Sequence, residues 1–409
     1  MRKTICCFCL FILSFITKAQ FKNDNVLFKT VYLQDLCKEL TDHPGYIILD
    51  VRSDGEFNDT LSSSPGLNIG RLKDAKHISI QELSSRWKEL MPYKDKPLFI
   101  YCSHSQRSRR ASKMLADSGF TKLFNVNGGL SSVYLSDLAT ANCLQNLVET
   151  NLPYRIISPR EICRKLADNG KKPFILDIRS DSAFKGISRV EKENAYATIK
   201  ESISIPLENL ESRIAEVPKD KEIIIVDIYG DESPKAAKLL LSKGYSNISI
   251  LFDGIDSWYG RDDEELSCKK SVLVNRRIYQ TITAEDFVKQ SLHNENLLIL
   301  DVRNEDEFAN KSKFNWRNIG NIKNAKNIPL EKLKDRAGEI SAWKDKPVVV
   351  YAFSNNPESY DAAATLIQMG FANVYVLDGG IWSLRWTSAN IKGKNYMEDW
   401  IVNVPPENK

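Results

Sequence analysis

Residues 46–57 read YIILDVRSDGEF, an apolar run that ends in Asp50-Val51-Arg52. The pattern returns as PFILDIRSDSAF at residues 173–184 and as LLILDVRNEDEF at residues 297–308. A short apolar run closed by polar residues is typical of a parallel strand that is buried on both faces. Its three occurrences indicate that the chain is a triple repeat.

The repeat has the length of a domain. A Lys-Asp-Lys tripeptide recurs at residues 94–96, 219–221 and 344–346, a spacing of 125 residues both times. That period is far longer than the repeats of a solenoid protein. A second apolar run follows each tripeptide, at residues 98–101, 223–226 and 348–351.

Helix signals lie between these runs. Ser158-Pro159-Arg160-Glu161 is a capping box with proline at the first helical position, and residues 283–286 form a similar start. The helical pattern after each second run ends at a glycine: Gly119, Gly244 and Gly370. Alternating strands and helices predict an α/β protein of three tandem domains, each a parallel sheet flanked by helices. The predicted domains are residues 26–142, 150–268 and 275–392, followed by a C-terminal tail at 393–409.

The N-terminus predicts export. Arg2-Lys3 precedes an apolar run over residues 5–16, and Thr17-Lys18-Ala19 has the small-x-small form of a cleavage site. Because a spanning helix needs about 20 apolar residues, we expect residues 1–19 to be a signal peptide and the protein to be periplasmic or secreted. The formal net charge of the whole chain is +4, which gives no indication of a nucleic-acid partner.

Five cysteines remain after this leader, and an odd number leaves at least one thiol without an intramolecular partner. Cys37 and Cys163 share a repeat position with Val288, so we expect both in the hydrophobic core. Cys143 and Cys268 lie in the linkers, and the sequence leaves open whether they form a disulfide. The four histidines show no metal-ligand spacing, and no cofactor is implied.

Cys102 follows the second apolar run of the first copy, in YCSHSQRSRR at residues 101–110. A loop between a strand end and a helix start gathers backbone N–H groups, and the helix dipole adds positive charge. With Arg107, Arg109 and Arg110 nearby, these features predict a nucleophilic thiolate in an anion-binding cradle. The alternative is a buried structural cysteine.

The other two copies lack this thiol. The second has Asp227 in the position of Cys102 and Glu232 in that of Arg107, and the third has Ala352 and a loop that is one residue longer. Neither a carboxylate in this setting nor a methyl group replaces a nucleophilic thiolate, so we expect both copies to be inactive.

Each copy resembles a rhodanese domain, the sulfurtransferase module. The residues that carry the resemblance in the first copy are Leu49 to Arg52, Glu56-Phe57, Gly70, Ala75, His77-Ile78, the loop from Tyr101 to Ser108, and Gly128-Gly129. The six-residue loop from Cys102 to Arg107 is similar in length to that of sulfur-handling members, whereas related phosphatases and arsenate reductases have one residue more. Ser105 departs from the glycine that the family often has.

This resemblance implies a thiosulfate-sulfurtransferase-like enzyme in which Cys102 carries sulfane sulfur as a persulfide, from thiosulfate or a polysulfide to a thiol or cyanide. Arg52 and Glu56 are expected to support the loop, as a pair beneath it or as a structural ion pair. The expected substrate-binding residues are Ser103, His104, Ser105, Gln106, Arg107 and Ser108. The alternative is a non-catalytic scaffold or redox-sensing protein, and in either case the second and third domains could contact a protein partner.

Overall fold

The computed structural model describes residues 25–135, 142–168, 170, 172–261, 266–294 and 296–406. The predicted signal peptide at residues 1–19 therefore lies outside the described residues. No helix in the described part of the chain is long and apolar enough to cross a membrane.

In the residues that the structure describes, the first domain contains seven strands and six helices. The strands are β1 (Lys29–Val31), β2 (Ile47–Asp50), β3 (Arg71–Leu72), β4 (Lys76–His77), β5 (Leu98–Tyr101), β6 (Leu123–Val126) and β7 (Val148–Glu149). The helices are α1 (Leu33–Asp42), α2 (Asp54–Phe57), α3 (Leu83–Arg86), α4 (Gln106–Asp117), α5 (Gly129–Leu135) and α6 (Asn142–Leu147). Two 3-10 segments lie at Pro65–Leu67 and Trp87–Tyr93.

The second domain repeats this order. Its strands are β8 (Arg155–Ile157), β9 (Phe174–Asp177), β10 (Thr198–Ile199), β11 (Ile203–Ser204), β12 (Ile223–Val226), β13 (Ile248–Leu251) and β14 (Leu273–Val274). Its helices are α7 (Pro159–Ala167), α8 (Asp181–Lys185), α9 (Glu191–Ala195), α10 (Ser233–Ser242) and α11 (Lys269–Val272). The 3-10 segments are Leu207–Asn209, Ile214–Glu216 and Gly254–Trp258.

The third domain has the same plan. Its strands are β15 (Gln280–Ile282), β16 (Leu298–Asp301), β17 (Asn321–Ile322), β18 (Lys326–Asn327), β19 (Pro347–Tyr351), β20 (Asn373–Leu377) and β21 (Ile401–Val402). Its helices are α12 (Ala284–His293), α13 (Glu305–Phe308), α14 (Leu333–Arg336), α15 (Pro357–Gln368) and α16 (Gly380–Asn390). The 3-10 segments are Asn315–Arg317, Leu330–Lys332, Ala337–Trp343 and Asn395–Trp400.

Each domain is built on a five-stranded parallel sheet, as the apolar runs predict. The strand orders are β1-β6-β5-β2-β4, β8-β13-β12-β9-β11 and β15-β20-β19-β16-β18. Alternate residues of β2 and β5 face opposite sides of the sheet and enter two separate apolar clusters, one under each helical layer. The three-domain parallel α/β architecture predicted from the sequence is confirmed.

A short antiparallel strand completes each domain. β7, β14 and β21 pair with β3, β10 and β17, so the residues after each glycine turn fold back onto their own domain. Part of the segment from residue 393, predicted as a tail, is the third of these extensions.

The disulfides differ from the expectation. Cys37 on α1 is bonded to Cys143 and Cys163 on α7 is bonded to Cys268, with Cα atoms 6.0 and 6.1 Å apart. Cys37 and Cys163 pack against the apolar clusters of their domains, as expected, but each also forms a disulfide, which the sequence did not predict, and Cys143 and Cys268 are not bonded to each other. The reason is the antiparallel extension, which returns each linker to the first helix of its own domain. Among the described residues, Cys102 is the free cysteine.

Candidate active site

Cys102 lies at the carboxyl end of the central strand β5, where the chain turns into α4. Its thiol faces the Ser108 hydroxyl, with Sγ and Oγ 3.6 Å apart, and the residue is only 1% exposed. Cys102 is therefore more deeply buried than we expect for a reactive cysteine in a loop. Its position is nevertheless that of a binding site, because ligands bind at the carboxyl ends of the strands in such sheets.

A glycine turn holds the loop from behind. The N–H groups of Leu130 and Ser131 donate to the carbonyls of Cys102 and Ser103, both at 2.9 Å. Gly129 makes this approach possible, because a Cβ atom there would collide with the Cys102 carbonyl and its φ of +58° is left-handed. The repeated glycine turn therefore fixes the position of the loop.

The same main-chain bond identifies the equivalent residues in the other domains. Ile255 N–H donates to the Asp227 carbonyl at 2.9 Å, and Ile381 N–H donates to the Ala352 carbonyl at 3.2 Å. Asp227 and Ala352 thus stand where Cys102 stands, as the sequence predicts.

The second domain shows what this loop can bind. The Asp227 carboxylate accepts N–H bonds from Gly230 at 2.8 Å, Glu232 at 2.6 Å and Ser233 at 3.0 Å. Burial raises the pKa of Asp227, and the three N–H groups act in the opposite direction. The loop is therefore an anion cradle that this domain fills with its own side chain.

The corresponding N–H groups of the first domain belong to Ser105, Arg107 and Ser108, by their places in the repeat. The Ser108 and Ser105 side chains are both buried and help to hold the loop. Ser108 Oγ donates to the Ser105 carbonyl at 3.0 Å, and Gly128 N–H donates to Ser105 Oγ at 2.6 Å. Serine thus takes a bracing role at a position where the family often has glycine.

Glu56 is paired with Arg107, not with Arg52. Two guanidinium nitrogens of Arg107 donate to the Glu56 carboxylate at 2.6 and 2.7 Å, and one also donates to Ser103 Oγ at 2.6 Å. Burial alone would raise the pKa of Glu56, but the bonds from Arg107 and from Ser53 outweigh it and lower the pKa to about 2. The pair ties α2 to the cysteine loop.

Arg52 forms a different ion pair. Its guanidinium donates to Asp50 at 2.7 Å and to the Gly70 carbonyl at 2.7 Å, and both charged side chains are fully buried. The expected pair of Arg52 with Glu56 is therefore wrong. The second and third domains, which lack the cysteine, contain the same Asp-x-Arg pair, in Asp177–Arg179 and Asp301–Arg303, so the pair supports the shared fold.

The other polar residues of this segment are His104, Gln106, Arg109 and Arg110. Desolvation and the Arg107 guanidinium lower the pKa of His104, and the residue is exposed to solvent. Gln106 and Arg110 are exposed.

Arg109 donates to Asn127 and to Asn390 of the third domain, at 3.2 Å each. The predicted group of three arginines around Cys102 is therefore reduced to Arg107.

Sequence reasoning missed one residue, Asp50, and one contact made by a predicted residue, Ser103. Asp50 was overlooked although residues i and i+2 of a strand share a face, which the Asp-x-Arg pattern itself signals. Ser103 joins Arg107 to the His104 ring, whose Nδ1 lies 3.0 Å from Ser103 Oγ. No spacing in the sequence indicates this second link, because it depends on how the loop folds.

The Rhodanese-like domain family model matches the chain three times, at residues 33–135, 159–261 and 284–385. The chain therefore belongs to the family of rhodanese-like domain proteins, and its relatives include sulfurtransferases. It is 33% identical to the uncharacterized protein YqhL of Bacillus subtilis over 105 residues, which cover 24% of this chain and 74% of YqhL. It is 33% identical to a sulfurtransferase of Allochromatium vinosum over 102 residues (25% of this chain, 85% of the relative), and 31% identical to the thiosulfate sulfurtransferase GlpE of Pseudomonas fluorescens over 100 residues (24% and 79%).

Proposed function

We propose that the protein is an exported sulfurtransferase whose first domain alone is catalytic, through a persulfide on Cys102. The observation that carries this proposal is a free cysteine in a loop whose counterpart holds a carboxylate with three N–H bonds. A persulfide anion needs the same kind of cradle. Relatives that are thiosulfate sulfurtransferases support the reaction class.

The proposed reaction has two steps. The Cys102 thiolate attacks the outer sulfur of thiosulfate or a polysulfide, a new S–S bond forms, and the donor's S–S bond breaks. With thiosulfate, sulfite leaves with the bonding electron pair. A thiolate or cyanide then attacks the terminal sulfur of the persulfide, and Cys102 departs as the thiolate.

The surroundings of Cys102 suit the negative charge in both steps. Backbone N–H groups and the start of the 12-residue helix α4 supply fixed positive potential without a mobile cation. The charge of Arg107 is largely compensated by Glu56, so we assign Arg107 the role of a positioning residue. Because Cys102 is 1% exposed, we infer that the donor enters by displacing loop side chains such as His104.

Export rests on the leader pattern and on two disulfides. Cys37–Cys143 and Cys163–Cys268 join described residues within the first and second domains. Disulfides persist mainly in oxidising compartments, which supports a periplasmic or secreted location. Fractionation of cells that express the tagged protein tests this part of the proposal, and recovery of the chain only in the cytoplasm, with residues 1–19 still attached, would contradict it.

The decisive experiment is thiocyanate formation from thiosulfate and cyanide by the purified chain. We expect turnover by the native protein, the mass of one added sulfur atom on Cys102 after thiosulfate alone, and loss of both in Cys102→Ser. Ala352→Ser, at the same position of the third domain, is the matched control and should keep full activity. Persulfide on another cysteine, or turnover by Cys102→Ser, would refute the assignment.

The burial of Cys102 favours a second candidate, a non-catalytic binding protein. On that view, no sulfane donor loads the thiol, and the domains serve only as surfaces. The same loading experiment separates the two functions, because a binding protein gains no sulfur.

A further inference from the structure

The third domain has a cavity of about 330 Å³ where the first domain has its cysteine loop. Ala352 lines it, together with Arg303, Glu307, Arg317 and Glu358. A volume of this size is at the lower end of those that hold small molecules. The loop that carries Ala352 therefore borders an open cavity.

Aromatic side chains lie in and beside this cavity. Phe353 lines it, and the Phe353 ring packs edge-on against Trp316 at 5.2 Å and stacks on Trp382 at 6.2 Å between centroids. Trp316 is 59% exposed and Trp382 41% exposed. Large aromatic rings left in solvent beside a cavity are typical of a binding surface.

The aromatic residues are specific to this copy. Trp382 N–H donates to the Phe353 carbonyl as Ser131 N–H donates to that of Ser103, so two serines of the first domain correspond to two aromatic residues here. Trp316 lies four residues before Gly320, as Gly66 lies four before Gly70. Three replacements by aromatic residues around one cavity are more than the loss of a catalytic residue requires.

The charges around the cavity leave an excess of acid. Arg303 is paired with buried Asp301, and Arg317 is paired with Glu307. In the described part of the chain, Glu358 forms no ion pair, and its buried Oε2 atom has no hydrogen-bond partner. Glu358 stands where Arg107 stands in the first domain, so the charge at this position is reversed.

The rings already show their affinity for cations. The Arg317 guanidinium lies 5.2 Å from the centroid of Trp316 and 5.4 Å from that of Phe353. Such contacts are attractive because the face of an aromatic ring is electronegative. Arg317 covers only part of the aromatic surface formed by Phe353 and the tryptophans, and its charge is compensated by Glu307. The carboxylate of Glu358 has no such cation beside it in the described part of the chain.

We propose that the cavity of the third domain binds a small organic cation, an ammonium or guanidinium group carried on an apolar body. The cation pairs with Glu358, and the apolar body packs against Phe353 and the exposed tryptophans. This site is independent of sulfur transfer by Cys102, so either activity can fail without the other.

Calorimetric titration of the full exported chain with benzylammonium tests the site, with benzyl alcohol and benzoate as the neutral and anionic probes. We expect one saturable site for benzylammonium, and binding of benzyl alcohol weaker by about tenfold or more, since a charge-assisted bond is lost. Benzoate should not bind there. Absence of saturable binding up to about 10 mM, or equal affinity for benzyl alcohol, would overturn the proposal.

Two variants, with a third as a control, locate the site. Glu358→Gln should weaken benzylammonium binding by about tenfold or more. Glu232→Gln changes the same repeat position in the second domain, where the carboxylate is paired with Lys235, and should leave binding unchanged. Trp316→Ala, on the exposed rim, should also weaken binding and keeps the test open if Glu358→Gln does not fold. Equal affinity of all three variants and the native chain would place the cation elsewhere.

Discussion

At the residue scale, the acid at the Glu56 position is present only in the domains where a guanidinium pairs with it. The first domain has both, and the second has neither, with Ala183 and Glu232 in their places. The third keeps the acid, Glu307, and supplies a cation from the 3-10 segment through Arg317. A buried carboxylate without a cation costs several kcal/mol, which explains why the acid persists only where a guanidinium reaches it.

Glu56→Gln should therefore destabilise the first domain and slow sulfur transfer. Glu56 has its pKa lowered to about 2, so its stabilisation is complete above the unfolded-state pKa of about 4.3 and is lost as the pH falls through about 2. Near pH 7 we expect a loss of roughly 2–3 kcal/mol in the free energy of unfolding. Denaturant unfolding as a function of pH measures it, and the native and variant curves should converge at low pH.

Glu307→Gln is the matched variant in the third domain. It should also lower stability, because Glu307 is buried and paired, but it should leave thiocyanate formation unchanged. Equal losses of activity in the two variants would mean that Glu56 acts only through global stability.

The sequence located these charged residues but not all their partners. Arg52 was assigned to Glu56, yet Asp50 lies two residues away on the same face of the strand and reaches it first. The cysteines posed a harder problem, since four paired cysteines allow three connectivities. The choice depends on the antiparallel pairing of β3 with β7, a contact between residues far apart in the chain.

At the scale of elements, the glycine turn and the cysteine loop act as one unit. Gly129→Ala places a Cβ atom against the Cys102 carbonyl at a left-handed φ, so we expect the loop to shift and activity to fall at least tenfold. Gly380→Ala creates the same collision with the Ala352 carbonyl and has a φ of +53°. It should cost similar stability, about 1–3 kcal/mol, and no activity.

Thermal unfolding measures the stability of both glycine variants, and the thiocyanate assay measures their activity. If Gly129→Ala kept full activity while losing stability, the position of the loop relative to the turn would not matter for catalysis.

The second domain tests which parts of the loop make a cysteine useful. Asp227→Cys, built on Cys102→Ser, restores a thiol but leaves Glu232 beside it, so we expect little thiocyanate formation. Adding Glu232→Arg should recover part of the activity, and adding Ala183→Glu should recover more, because the new arginine then has the partner that Arg107 has. Thiocyanate formation compares the three variants directly. Full activity from Asp227→Cys alone would show that an ion pair like that of Glu56 and Arg107 is dispensable.

Sequence patterns predicted the starts of the first helices of the second and third domains correctly. Thr283 and Ser158 cap their helices as predicted, each accepting an N–H bond at 3.1 Å from the residue three positions later. The filled cradle around Asp227 could not be predicted, because three backbone N–H groups have no sequence signature. Only the fold of the loop brings them to one carboxylate.

At the scale of the whole molecule, the three domains contact one another in every pairing. Gly66 N–H donates to Asp231 at 3.1 Å between the first and second domains, and Arg277 of the third domain pairs with Glu191 of the second at 2.9 Å. Lys392 pairs with Asp35 at 2.6 Å between the third and the first. The loop of the second domain is thus in contact with the first domain.

The first and second domains each contain a disulfide, and none is described in the third. Cys37–Cys143 and Cys163–Cys268 close loops of 106 and 105 residues, so each removes much conformational freedom from the unfolded chain. Cys143→Ser on a Cys102→Ser background should lower the free energy of unfolding by about 2–5 kcal/mol. Tyr396→Ser is the matched control, because Tyr396 holds the corresponding place in the third domain and is exposed.

Calorimetric unfolding with and without reductant distinguishes the domains, and thiol titration checks the pairing. We expect reductant to lower the transitions of the first two domains and to leave that of the third in place, since Val288 occupies the cysteine position there. The denatured, unreduced chain without its leader should show one thiol, Cys102, and the reduced chain all five cysteines that follow the leader. Five thiols before reduction would show that neither bridge forms, and the argument for an oxidising compartment would then rest on the leader alone.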